Sequence, residues 1–328
     1  MSVELAPAPP VPETRTLPRP VSAQAGRVRK DYLGVFVVVH LIAALAFLPY
    51  FFTWSGVIAF VIGVFLCGVM GVNVGMHRLL SHRSFRTPKW FERTLATLAM
   101  CGAQETPAHW VAWHRKHHVH SDHEGDPHSP RVGFLWSHVD WLLCDDLRPM
   151  ALMNLYDKYA RDIIRDPYYR WIERLPQATG LIYFTHAFLF AIVAGGVSVA
   201  TLGWNAEAAR VAASVWVWGV AVRTVYVWHI TWSVNSLTHL IGYRSHETKD
   251  DSRNSFLVAA MTIGEGWHNN HHHDPSSASN QHRWWEFDPV YYIIRFLGCI
   301  GLASHIVPPK HKRGPKNARK PSATPAAG

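Results

Sequence analysis

Two stretches of this chain repeat one pattern, His-x-x-His-His: His114, His117 and His118 in WHRKHH, and His268, His271 and His272 in GEGWHNNHHHDP. Neutral imidazole is the commonest protein metal ligand, and on a helix positions i, i+3 and i+4 share a face. Each stretch can therefore aim three ring nitrogens in one direction. Neighbouring residues on a helix are about 100° apart, so His117/His118 and His271/His272 suit two adjacent metals better than one. HRLLSH adds His77 and His82, and NSLTH adds Asn235 and His239. Five residues separate His77 from His82, about 140° on an ideal helix. Either the helix ends between them or they serve different metals. Nine imidazoles are more than one metal can use, whereas two metals sharing nine nitrogens is a sensible count.

The elements that must position these groups read as membrane helices. The chain has 328 residues, 48% of them hydrophobic, with 22 His and 15 Trp. Its apolar residues lie in long blocks, at Tyr32–Phe52, Val57–Met76, Thr179–Leu202 and Val211–Val234, each long enough to cross a bilayer. Short turns join the first to the second and the third to the fourth, so they form two hairpins. Arg and Lys cluster before the first block and after the second, while the turn between them carries neither. The positive-inside rule then puts both flanks, both termini and all the histidine-rich segments in the cytoplasm. The expected fold is an all-α membrane protein, four transmembrane helices in two hairpins carrying a helical cytoplasmic cap with a histidine-rich di-metal site. Trp90–Gln104 is too short and too charged to span and reads as an interfacial helix. Arg223, inside the fourth block, should face the protein interior or mark where the helix leaves the bilayer for the cytoplasmic domain, because a charge at a helix centre costs roughly 2.5–3.5 kcal/mol on insertion scales.

Composition sets the remaining bounds. The formal charge of +9 suits an anionic cytoplasmic membrane surface rather than nucleic acid. The four cysteines form no C-x-x-C pair, which implies reduced thiols and no iron–sulfur cluster. Residues 1–30 are Pro/Ala-rich without the apolar core of a signal peptide and read as a disordered tail. Residues 31–308 form the membrane domain, and residues 309–328 a basic disordered tail.

Ligand type alone leaves Zn, Cu, Fe and Ni open. The setting above a membrane bundle suits a fatty substrate. Breaking an unactivated C–H bond needs a metal that activates oxygen; zinc has no redox chemistry, which favours iron.

The motifs HRLLSH, HRKHH, NSLTH and HNNHH, in this order, resemble those of the membrane-bound acyl-CoA desaturases of the stearoyl-CoA type. The likeness extends through DPHSPRVGFLWSHVDWLL, TWSVNSLTHLIGYR and TIGEGWHNNHH and covers roughly Tyr32 to Leu302. The resemblance implies two irons held by His77, His82, His114, His117, His118, His239, His268, His271 and His272, with Asn235 holding one metal through a water. It implies oxygen-dependent insertion of a cis double bond into a long saturated acyl chain, most often at Δ9, in unsaturated-lipid biosynthesis. It also implies that Gln104, Trp110 and Thr231 line the bend of a substrate tunnel and that Phe65 closes its end.

One departure bears on the acyl carrier. Where animal members of the family have Arg-Asp before the second histidine box, this chain has Ala112-Trp113. Coenzyme A remains the favoured carrier, with acyl carrier protein or phospholipid open. Without a fused haem domain, flavin motif or Cys cluster, the electrons must come from a separate donor of ferredoxin, rubredoxin or cytochrome type and its reductase, for which the basic surfaces offer docking. The rival readings are a membrane fatty-acid or alkane hydroxylase with the same metal centre and, in another class, a metal transporter or storage protein, whose ligands should lie within the bilayer path. A membrane zinc protease is excluded, because neither His123-Glu124 nor His246-Glu247 is followed by the required His. His40, His186 and His229, alone in apolar blocks, read as core histidines; His120, His123 and His128 read as bystanders or outer partners, and so does His273.

Overall fold

The structure is a computed structural model, which describes residues 16–20, 23, 28–144 and 149–313. The described residues form helices and loops, with isolated bridges in place of strands. Four helices are long and apolar enough to cross a membrane: α1 (Lys30–Phe47), α2 (Trp54–Ser81), α6 (Ala178–Leu202) and α7 (Ala206–His239). Between the two hairpins lie α3 (Lys89–Met100), α4 (Pro107–His120) and α5 (Pro149–Tyr159); α8 (Phe256–Thr262), α9 (His268–His273) and α10 (Pro289–Cys299) follow α7.

The helices outrun the apolar blocks that announce them. A helix of 34 residues such as α7 runs about 50 Å, well past a hydrocarbon core of about 30 Å. Hydropathy reads the bilayer, and the helices continue beyond it as supports for the cap.

α2 has a second property that its composition conceals. From Val64 to Ser81 it is wound as a π-helix. His82 N donates to His77 O at 3.1 Å, and this i→i+5 bonding nearly stacks residues five apart along the axis. Such turns are rare and concentrate at functional sites. The winding settles how His77 and His82 relate: His82 caps the helix, and both rings lie on one side.

The segment read as an interfacial helix forms α3 over Lys89–Met100. It buries Leu95, Ala96, Ala99 and Met100 completely against α2, an apolar gain of about 1.5–3 kcal/mol for each large side chain. The approach is close because Gly71 allows it: a Cβ there would stand 2.5 Å from Ala99 N. Arg223 is fully buried, as expected, and donates to Cys101 O at 2.8 Å and Gly219 O at 3.1 Å.

The tails expected to be disordered lie largely outside the described residues. The parts inside them are bonded to the cap. Leu17 N donates to Arg131 O at 3.0 Å, and Lys310 N and the Arg313 guanidinium donate to Asp274 at 2.9 and 2.8 Å.

Candidate metal centre

Each histidine motif sits where a helix ends or where a cap helix crosses it. α2 supplies His77 and His82, α4 supplies His114, His117 and His118, the end of α7 supplies Asn235 and His239, and α9 supplies His268, His271 and His272. α9 has six residues, too few to be stable alone. Its two asparagines anchor it, both fully buried. Asn269 Oδ1 accepts from the backbone of Ser245 and His246 at 2.8 Å. Asn270 Nδ2 donates to Glu286 at 2.8 Å and to Asn280 O at 2.9 Å. Arg115 fixes the end of α2 by donating to the carbonyls of Leu80 and Ser81 at 2.8 and 2.9 Å, with Asp162 holding the guanidinium.

The nine histidines fall into two clusters. In the first, His77, His82, His114 and His271 bring ring nitrogens within 4.8 Å of one another. His118 joins them, its Nε2 lying 3.1 Å from that of His114 and 3.0 Å from that of His271. The Nε2 atoms of His77 and His271 are 3.1 Å apart, and those of His82 and His114 2.7 Å. Ligands at right angles on an ion with metal–nitrogen bonds of about 2.1 Å would be about 3 Å apart, so this spacing fits five nitrogens converging on one metal. The second cluster is His117, His239, His268 and His272. All four Nε2 atoms are buried without a hydrogen-bond partner. A buried polar atom left bare costs about 1–3 kcal/mol, and four aimed together fit a cation. His117 and His118 thus part into different clusters, as do His271 and His272. Asn235 stands on the cavity wall beside both clusters.

Sequence reasoning missed the carboxylates behind these rings. His77 Nδ1 lies 2.9 Å from Glu265 Oε2, His117 Nδ1 3.0 Å from Asp126, His239 Nδ1 2.7 Å from Asp122, and His272 Nδ1 2.7 Å from Asp250. Each acid accepts a hydrogen bond from Nδ1–H, which fixes the tautomer and leaves Nε2 with its lone pair free for a metal. Burial pushes the Glu265 carboxyl upward, yet Arg78 and His77 beside it hold it down at about 2. Asp122 and Asp250 are likewise held well below the carboxylate range, burial being outweighed by His239 and His272 respectively. Burial and the surrounding imidazoles push His82, His114, His118, His268 and His271 well below the usual histidine value, the neutral state that a metal ligand needs.

The histidines read as outer groups are placed apart from the two clusters, with one exception. His128 is buried and stacked on His117, ring centroids 4.3 Å apart, and with His117 and Asp126 it forms a third convergent set. His273 stacks instead on His246 at 4.0 Å, and His123 is exposed. His40, His229 and His138 form a hydrogen-bonded chain of 3.1 and 3.0 Å steps between α1, α7 and the cap.

Two cavities meet at the histidine clusters. The larger is apolar, bounded by α1, α6, α7 and the cap; Gln104, Trp110 and Thr231 line it, and so does Trp113. The smaller runs between α2 and α7, past Gly68, Val72 and Ile230, and reaches His77, His117 and His268. Trp110, His114, Thr231 and Asn235 belong to both. Phe65 lies elsewhere. It is 43% exposed on α2 and lines neither cavity.

Comparison with known proteins agrees with this geometry. The family model for fatty acid desaturase matches residues 52–297. The sn-1 stearoyl-lipid 9-desaturase of Synechocystis sp. is 39% identical over 277 residues, covering 84% of this chain and 79% of that protein. The sn-2 palmitoyl-lipid 9-desaturase of Nostoc sp. is 39% identical over 288 residues, covering 87% and 92%. The acyl-CoA 5-desaturase of Anemone leveillei is 36% identical over 267 residues, covering 81% and 76%.

Proposed function

The chain belongs to the fatty acid desaturase family, and from that premise we propose that it places a cis double bond at Δ9 of a long saturated acyl chain esterified in a membrane glycerolipid. It is an oxidoreductase of lipid metabolism; the position of the bond, the carrier and the metal are our reading. The observation that carries it is the meeting of two sets of convergent, carboxylate-backed imidazoles with an apolar cavity at one shared wall.

The nine histidines would hold two irons, His77, His82, His114, His118 and His271 one, and His117, His239, His268 and His272 the other, with Asn235 beside the pair. When bound, such a pair supplies oxygen activation, with electrons from a separate ferredoxin-, rubredoxin- or cytochrome-type donor and its reductase. The rest is done by the chain itself. Glu265, Asp122, Asp126 and Asp250 keep Nδ1 protonated and the rings aimed inward. Trp110 and Thr231 seat the acyl chain where the two cavities join, Gln104 lines the larger of them, and the apolar walls exclude water from the oxidised carbons.

Coenzyme A is the carrier that the sequence motifs favour. The glycerolipid reading is preferred because the Synechocystis and Nostoc relatives are named for lipid-linked substrates and because Trp113 contributes apolar surface to the cavity. The acyl-CoA reading stands second, supported by the name of the Anemone relative. Charge on the flanks of α1 and α2 supports four crossings with the site and both termini cytoplasmic.

The test is expression in a host lacking the activity, followed by mass spectrometry of intact lipids and their double-bond positions. A Δ9-unsaturated glycerolipid is the expected product. A hydroxylated chain would replace the desaturase reading with the hydroxylase one, and iron uptake without a new lipid would favour storage or transport.

A further inference from the structure

The larger cavity has a side that faces the bilayer. Tyr32 and Phe36 lie on the first turns of α1, and Gly180 and Phe184 on the first two turns of α6; all four line the cavity. These turns begin the two spanning helices at the end nearest the cap, so they sit at the level of the lipid headgroups. Both helices pack on α7, whose Trp228 and Trp232 form the floor between them. Phe184 is 53% exposed while lining the cavity, so its ring touches the outside and the inside at once. At Gly180 an added Cβ would meet nothing within 4 Å. The wall between α1 and α6 is therefore thin where Phe184 stands and open where Gly180 stands.

We propose that this gap is a lateral portal through which the acyl chain of a membrane glycerolipid slides from the bilayer into the cavity, with Gly180 keeping the mouth open. The occupant follows from continuity. The same cavity runs inward to Trp110, His114 and Asn235, where it joins the metal clusters. An acyl chain moving from bilayer to cavity exchanges one apolar environment for another, so entry avoids exposing it to water. The headgroup and glycerol stay at the interface, and the carrier needs no binding site on the cap. The inference rests on the glycerolipid reading above. Gly180 acts by leaving space and touches no reacting atom.

The experiment places Gly180→Trp beside two controls in the full-length, iron-loaded protein reconstituted in vesicles of saturated phosphatidylcholine or monogalactosyldiacylglycerol. Gly180→Ala adds only a methyl group. Gly195→Trp puts the same bulk on α6 at a site where an added Cβ also meets nothing within 4 Å and which lines neither cavity. Gly180→Trp should lose tenfold or more of the lipid desaturation rate at unchanged iron content, Gly180→Ala should lose less than Gly180→Trp, and Gly195→Trp should stay within twofold of wild type. A glycerolipid with a diazirine on its acyl chain should crosslink to the peptide containing Phe184 in wild type and not in Gly180→Trp. Undiminished lipid desaturation in Gly180→Trp, or an equal loss in Gly195→Trp, would overturn the portal and leave the glycerolipid reading intact. A wild-type enzyme that uses only a detergent-dispersed acyl thioester would overturn the glycerolipid reading, and the portal with it.

Discussion

Glu265 joins His77 to Arg78. One carboxylate oxygen lies 2.9 Å from His77 Nδ1, and the other accepts from the Arg78 guanidinium at 2.8 Å. An acid shared in this way orients a ring and stays ionised in a buried place. Glu265→Gln keeps the size but loses the charge. Its iron affinity should fall 10–100-fold, read as metal content after dialysis against a graded chelator, with the protein still folded in detergent. Unchanged retention would mean that His77 is oriented by something else.

Arg78 is the partner whose removal should be felt in stability. It donates to Glu265, to Asp288 at 2.8 Å and to Ala278 O at 2.7 Å, all buried. Arg78→Met leaves two acids buried without their cation, and breaking such a pair typically costs 3–5 kcal/mol. Thermal unfolding in detergent should show a clear drop in midpoint, and a drop smaller than that of a surface Arg→Met control would refute the assignment.

His271 lies at the crossing point of the first cluster, with Nε2 3.1 Å from His77 and 3.0 Å from His118. His271→Ala should abolish unsaturated product while the protein remains in the membrane fraction. Iron should fall from near two per chain towards one, since His117, His239, His268 and His272 are untouched. Product that persists in this variant would sink the role given to this cluster.

Gly71 tests the packing of α2 on α3. A Cβ there would stand 2.5 Å from Ala99 N and 2.8 Å from its Cα, and backbone cannot step aside as a side chain can. Gly71→Leu should destabilise by about 1–3 kcal/mol, the usual cost of overpacking, whereas Gly196→Leu, where an added Cβ meets nothing within 4 Å, should be close to neutral. Equal melting temperatures for the two variants would contradict the close approach.

Much of this was legible in the sequence, and the failures have physical causes. The four apolar blocks gave the spanning helices because a bilayer demands continuous apolar length. The His-x-x-His-His spacing gave the division of His117 from His118 and of His271 from His272, because an α-helix has a fixed angular step. The same step left His77 and His82 open between a helix end and separate metals, since a single sequence carries no mark of π winding, and Phe65, placed by the resemblance alone, lines neither cavity. The acids behind the rings were invisible for another reason. Asp122 is fully buried against His239, while Glu124, two residues on, is exposed, and nothing in the residue types separates them. Asn269 and Asn270 stood in the motif in plain view, but their work is done with Ser245, His246, Asn280 and Glu286, partners that only folding brings near.

The continuation of α2 and α7 beyond their apolar blocks fixes how the molecule can be divided. His77 and His82 ride on one of these helices and its cap, and Asn235 and His239 on the other, while the remaining proposed ligands belong to the cap. Neither half holds a complete set. Trimming the hydrophobic segments to obtain a water-soluble fragment would remove histidines from both clusters at once, so the anchor and the proposed metal centre must be inherited, expressed and engineered as one piece.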